Sequence, residues 1–159
     1  MNEKTELYPD SMAVKQWQYQ DAICYIVSHP RLKHPCGYAR FEKRPVQTFG
    51  YDEIMTYVPV HGGITYAQQD EAGMTYGFDC AHAGDDEKDF TEEWLVNECQ
   101  QMVDNIKAIV PFEDAYIQAE GDNESRAKII DSYHESLGMD GFDIHNNFGA
   151  MINVICGRL

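Results

Sequence analysis

Residues 64 to 79 read Ile-Thr-Tyr-Ala-Gln-Gln-Asp-Glu-Ala-Gly-Met-Thr-Tyr-Gly-Phe-Asp, two runs rich in β-branched and aromatic residues joined by the polar stretch Gln69 to Gly73. That pattern predicts a β-hairpin. Met55 to Gln68 reads as extended chain interrupted at Gly62-Gly63, and Met74 to His82 as the returning strand. A turn centred between Glu71 and Ala72 sets Tyr66 opposite Gly77, Ile64 opposite Asp79 and His61 opposite His82. Directly opposed side chains share a sheet face, and a slip of one residue would undo the match.

The flanking sequence extends this frame. Ala13 to Tyr19 and Ala22 to Val27 are strand-like runs with a turn at Gln20-Asp21. His29-Pro30 and His34-Pro35 break regular structure, which makes 28 to 36 a loop and Gly37 to Glu42 a short third strand. Downstream, Leu95, Cys99, Met102, Val103, Ile106 and Val110 recur at helical spacing, predicting a helix over Asp89 to Val110 that stops at Pro111. Asp89 or Thr91 caps it, with Glu92 and Glu93 in the first turn. A second helix is expected from Glu124 to Leu137, between Asp122 or Asn123 and Gly138. Ala150 to Cys156 reads as a strand buried on both faces. The sum is an α+β fold, an antiparallel sheet built from hairpins with one long and one shorter helix packed on one face. Without an internal repeat or a linker-like tract, residues 1 to 159 form a single domain.

With 159 residues, 43% of them hydrophobic and 12% aromatic, the chain can bury a core. Its formal charge of -15 argues against direct binding of nucleic acid or an anionic bilayer. No stretch is long and apolar enough to span a membrane, and the start MNEKTELYPD lacks the order of a signal peptide. Five cysteines without paired CxxC spacing fit reduced thiols, so the expected location is cytoplasmic.

The charge is uneven. Residues 1 to 50 hold seven basic and five acidic residues, a net of +2; residues 51 to 159 hold five and twenty-two, a net of -17. Arg31, Lys33, Arg40, Lys43 and Arg44 make one cationic island, interleaved with His29, His34, Tyr38 and Phe41. An ordinary solvated loop would explain it. A local anion site would also, because the arginine fork matches phosphate and a tyrosine can stack on a base. Arg31, Tyr38, Arg40 and Arg44 are therefore candidate ligand contacts.

Val60 to Tyr66 and Gly77 to Asp85 form the densest group of chemically active types, with His61, Asp79, Cys80 and His82 among glycines at 62, 63, 77 and 84. His61, Asp79 and His82 could ligate zinc or manganese, but alternation sends Asp79 to the face opposite Phe78, Cys80 and His82. Cys80 with His61 or His82 could act as a thiol nucleophile, against the plainer reading of a core thiol. The run Asp85, Asp86, Glu87, Asp89 lacks EF-hand spacing. Cys24, His29, His34 and Cys36 fit no standard zinc pattern, and no phosphate-binding glycine loop is present.

His61-Gly62-Gly63-Ile64-Thr65-Tyr66 and Gly77-Phe78-Asp79-Cys80-Ala81-His82-Ala83-Gly84-Asp85 resemble a family of small acidic proteins of tailed phages and prophages. His29-Pro30 and Cys36-Gly37-Tyr38 resemble it too, so the similarity spans roughly residues 24 to 110. It implies an anti-defence protein that sequesters a small anionic ligand, a cyclic nucleotide immune signal above all, without cleaving it and with no cofactor. Arg31, Tyr38, Arg40, Arg44, His61, Gly62, Gly63, Tyr66 and His82 would form the pocket, shared between subunits of a homo-oligomer so that local donors overcome the negative field. The alternatives are a metal-dependent or thiol hydrolase using His61, Cys80 and His82, and an acidic nucleic-acid mimic that inhibits a host protein.

Overall fold

The computed structural model describes residues 12–28, 34–46, 57–80 and 90–139. They form strands β1 (Met12–Tyr19), β2 (Ala22–Ser28), β3 (Pro35–Phe41), β4 (Tyr66–Asp70) and β5 (Gly73–Asp79), then helices α1 (Glu92–Gln118) and α2 (Asn123–Ser136). The five strands make one sheet in the order β1-β2-β3-β5-β4, and every neighbouring pair is antiparallel. An antiparallel sheet with two helices is the α+β arrangement read from the sequence. The expected strand at Ala150 to Cys156 lies outside the described residues.

Turn chemistry sets the register. Tyr66 opposes Gly77 and Asp70 opposes Gly73, which leaves Glu71-Ala72 as the turn, as the sequence predicts. Asp70 Oδ1 accepts from the Ala72 amide at 2.8 Å, the local bond that favours aspartate at the start of a turn, and Gly73 follows at φ 135°. In the β1-β2 turn Gln20 holds φ 53°, a left-handed conformation that costs a residue with a Cβ on the order of 1 kcal/mol. Bonds to α1 offset it: Gln20 Nε2 donates to Asp104 at 2.6 Å, and Lys107 donates to Gln20 Oε1 at 3.0 Å and to Asp21 at 2.9 Å. The Lys107 bond also holds the Asp21 carboxyl below its ordinary range.

The main core lies between sheet and helices. Ala22, Cys24, Ile26, Ala39, Phe41, Met74, Tyr76, Phe78 and Cys80 meet Leu95, Cys99, Met102, Val103, Ile106 and Ile109 of α1. The sheet carries two glycines opposite aromatic rings. Gly37 faces Phe78 on the helix side, and Gly77 faces Tyr38 on the other, each ring lying over the glycine across from it.

α1 differs from expectation at its end: it runs through Pro111 to Gln118. Thr91 caps it by accepting from the Trp94 amide at 3.1 Å. Pro111 sits at an exposed position, so the carbonyl it leaves without a helical donor can be hydrated. The buried stripe continues past it through Glu113 and Tyr116, and α2 packs there. Arg126 lies 4.1 Å over the Tyr116 ring and donates to its carbonyl at 3.0 Å, while Tyr133 Oη donates to Asn105 O at 2.6 Å. Tertiary contacts on both sides of Pro111 thus override the local penalty. α2 matches its expected span within a residue at either end, with Asp122 accepting from the Ser125 amide at its start and Gly138 at φ 77° beyond its end.

Side chains of both helices hold the backbone of 57–61. His134 Nε2 donates to Tyr57 O at 2.9 Å, Asn105 Nδ2 donates to Pro59 O at 2.9 Å, and the His61 amide donates to Glu98 Oε1 at 2.7 Å. No helix among the described residues is long and apolar enough to cross a membrane.

Candidate functional site

Strand alternation and the observed register lay out the sheet face turned away from the helices. One row across it is Gln18, Ile23, Arg40, Thr75, Gln68; the next is Gln16, Tyr25, Tyr38, Gly77, Tyr66; a third holds Val27, Cys36 and Asp79. Tyr25, Val27 and Tyr38 form a second, smaller apolar cluster, with Cys36 and Tyr66 packed against it. Tyr38 and Tyr66 meet edge-to-face at 5.4 Å across Gly77.

Arg40 stands over this cluster. Its guanidinium carbon is 5.5 Å from the Tyr25 ring centroid, and its Nε reaches Thr75 Oγ1 only at 3.5 Å, the outer limit of a hydrogen bond. Nη2 is buried and has no hydrogen-bond partner, and none of the salt bridges among the described residues involves Arg40. A buried donor left unsatisfied costs about 1–3 kcal/mol, and more when it is charged. The ring beneath returns about 0.5–2 kcal/mol as a cation-π contact. Among the described residues no carboxylate meets the guanidinium, whose fork is shaped to take an anion. Gln68 is exposed and Tyr66 half-buried beside it, whereas Tyr38, 3% exposed, has little ring surface left to stack on.

The sheet divides the residues singled out from the sequence. Tyr38, Arg40 and Tyr66 share the face just described. Arg44 is turned to structural work at the end of β3, where Nε donates to Val46 O at 2.7 Å and Nη1 to Gln69 Oε1 at 3.0 Å. His61, Gly62 and Gly63 do not continue a strand. They form a turn closed by the Gly63 amide on Val60 O at 2.8 Å, with both glycines at positive φ, 68° and 82°. The His61 ring lies on the helix side, 5.3 Å from both Phe90 and Trp94. Arg31 and His82 lie outside the described residues, so the expected His61–His82 neighbourhood does too, as do His29 and Asp85 to Asp89.

Among the described residues, three of the four thiols are set back from the surface. Cys24, Cys80 and Cys99 are fully buried, and Cys36 is half-buried. Burial pushes the Cys24 thiol up to about 12 and raises those of Cys99 and Cys36 as well, against a Tyr38 hydrogen bond that lowers the last. Cys80, at 0% exposure, presents no sulfur to a substrate. Among the described residues no three His, Cys, Asp or Glu side chains are grouped to hold a metal.

Tyr25 and Thr75 escaped the sequence reading because both read as ordinary strand residues. Only the cross-strand register brings them beneath and beside Arg40. Glu98 was equally silent, lying on a helix whose apolar stripe drew the attention. The site thus belongs to an α+β protein with an arginine-bearing, tyrosine-backed sheet face. Compared with protein-family models, curated proteins and solved structures, the chain matches none.

Proposed function

We propose that this protein binds a small anionic ligand carrying an aromatic ring, on the sheet face away from its helices, and holds it without cleaving it. Arg40 is the anion anchor, Tyr25 its backing, Gln68 and Thr75 neighbouring polar groups, and half-buried Tyr66 the ring against which a base would stack. The observation that carries this reading is the buried Arg40 Nη2 without a partner. A phosphate oxygen there would convert an unsatisfied charged donor into a charge-assisted hydrogen bond. A cyclic nucleotide combines such an anion with a stacking ring. Together with the phage-like motifs, this makes capture of a nucleotide immune signal, by a homo-oligomer in the host cytoplasm, the role we assign. A second subunit over the same face would enclose the ligand and supply further donors.

The net charge of -15 repels an anion at long range, so the local contact must dominate. Raising the ionic strength screens that repulsion. The association rate should therefore rise or hold between low and physiological salt, the reverse of an electrostatically steered anion binder.

The test is a capture experiment. The protein is incubated with cyclic mono- and dinucleotides, freed of unbound ligand and heated, and the released small molecules are analysed. Intact ligand from wild type, and none from Arg40→Ala at unchanged melting temperature, supports capture. Recovery of a hydrolysed product would show an enzyme, and failure to deplete any of the nucleotides would remove the proposal.

A further inference from the structure

The two outer strands of the sheet are built differently. β1 carries devices that keep an edge from pairing: its register with β2 shifts between Ala13 and Lys15, and Lys15 bonds Glu92 of α1 at 3.1 Å. β4 has neither. Tyr66-Ala67-Gln68-Gln69-Asp70 holds no proline, lysine or arginine, its register with β5 is unbroken, and Gln68, Gln69 and Asp70 are exposed. Among the described residues it pairs with β5 alone.

The ladder fixes which backbone groups point outward. A two-residue turn closes on a hydrogen-bonded pair, here Asp70 with Gly73, and such pairs alternate along an antiparallel ladder. Asp70, Gln68 and Tyr66 therefore spend their amides and carbonyls on β5, while Ala67 and Gln69 turn theirs to the open side. Two amides and two carbonyls spaced two residues apart are what an antiparallel strand of the same sequence requires.

We propose that β4 is a subunit contact: two copies of this chain pair their β4 strands antiparallel about a two-fold axis at Gln68, continuing the sheet from one subunit into the other. Ala67 then exchanges both backbone bonds with the partner's Gln69, Gln68 faces the partner's Gln68 across the axis, and Tyr66 faces the partner's Asp70. Glutamine carries donors and an acceptor, so the two Gln68 amides complement each other. Charge selects the orientation. Antiparallel pairing keeps the two Asp70 carboxylates four residues apart along the ladder, about 13 Å, beyond the Debye length of about 8 Å at physiological ionic strength. Parallel pairing would set them side by side at about 5 Å. The contact specifies how the homo-oligomer assigned above is joined, and it stands without the ligand. Gln68 ends the row that holds Arg40 and Thr75, so the pairing sets the two Arg40 faces side by side on one surface.

Sedimentation equilibrium of the full chain from about 10 to 500 µM reads the pairing, since a five-residue ladder suits a Kd in the micromolar to millimolar range. The expected result is a monomer-dimer equilibrium that tightens with added salt, as repulsion between two chains of charge -15 is screened. Gln69→Pro removes an outward amide and spares the ladder to β5, so it should weaken the dimer at least about tenfold at a melting temperature close to wild type. Gln69→Ala loses the same Arg44 bond and keeps the amide, and it should pair as wild type does. Cross-linking gives an independent reading. Cα atoms of a non-hydrogen-bonded antiparallel pair lie about 4.5 Å apart, within disulfide reach. Mild oxidation should therefore link two Gln68→Cys chains and not two Gln69→Cys chains, over a wild-type baseline that accounts for the native thiols. Arg40→Ala should leave the dimer unchanged, which separates a failure of pairing from a failure of ligand capture. A monomer at every concentration, an undiminished Gln69→Pro dimer, or equal cross-linking from positions 68 and 69 would each overturn the proposal.

Discussion

Replacing Gly37 by alanine puts a methyl group into space that the fold has already filled. A Cβ built on Gly37 meets Phe78 Cζ at 2.5 Å and Cys99 Sγ at 2.7 Å. Neither neighbour can step aside, for Phe78 is 1% exposed and packed against Trp94, and Cys99 is fully buried on α1. Overpacking of this kind costs about 1–3 kcal/mol. Alanine in a strand interior returns about 0.5–1 kcal/mol of the entropy that glycine forfeits. Contacts this short put the cost in the upper half of that range, about 2–3 kcal/mol, so the net is a destabilisation of about 1–2.5 kcal/mol, a fall in Tm of roughly 2–10 °C for a chain of this size. Urea unfolding of Gly37→Ala, Phe78→Leu and the double variant measures it. Removing the ring should relieve the clash, so the double variant should be more stable than the sum of the single effects by about 1 kcal/mol. A neutral or stabilising Gly37→Ala, or strictly additive effects, would refute the interlock of Gly37 beneath Phe78 that fixes β3 against β5.

Three further outcomes follow from the geometry. Pro111→Ala restores a helical amide at an exposed position of α1 and should raise stability by about 1–3 kcal/mol in thermal unfolding; a loss would mean that Pro111 itself is needed where α2 packs. Burial lowers the His134 pKa below its ordinary 6.5, against the Tyr57 carbonyl and Asp131, which raise it. Its neutral form is thus the folded one, and the stability it supports is present above pH 6.5 and lost as pH falls through the folded pKa, by at most about 1.4 kcal/mol per pH unit. Unfolding curves between pH 7.5 and 5 should show a smaller acid loss in His134→Gln than in wild type, and equal slopes would count against it. Cys24, Cys80 and Cys99 should resist a thiol reagent in the native state and react on unfolding; fast labelling of Cys80 would reopen thiol chemistry.

Local signals brought the five described strands, the β4-β5 register and both helices into view, because turn chemistry, alternation and helical spacing act over a few residues. What escaped was set by distance or by competition between signals. The insertion of β5 between β3 and β4 leaves no local mark, yet it alone puts Thr75 beside Arg40. At Gly62-Gly63 two positive φ angles turn the chain aside, so His61 leaves the sheet that alternation would have kept it in. At Pro111 the breaker signal was correct locally and lost to the packing of Tyr116, Arg126 and Tyr133. Arg40 and Arg44 are equivalent in sequence, and only the fold distinguishes a guanidinium tied to Val46 and Gln69 from one with a buried donor unsatisfied.

The most direct measurement is a calorimetric titration of cyclic nucleotides into wild type and Arg40→Ala at physiological salt. Loss of a buried charge-assisted contact should weaken binding by about 2 kcal/mol or more, roughly thirtyfold, while the melting temperature holds or rises with the orphaned donor gone. Equal affinities for the two proteins, or no heat from wild type with any cyclic nucleotide, would contradict an anion site at Arg40.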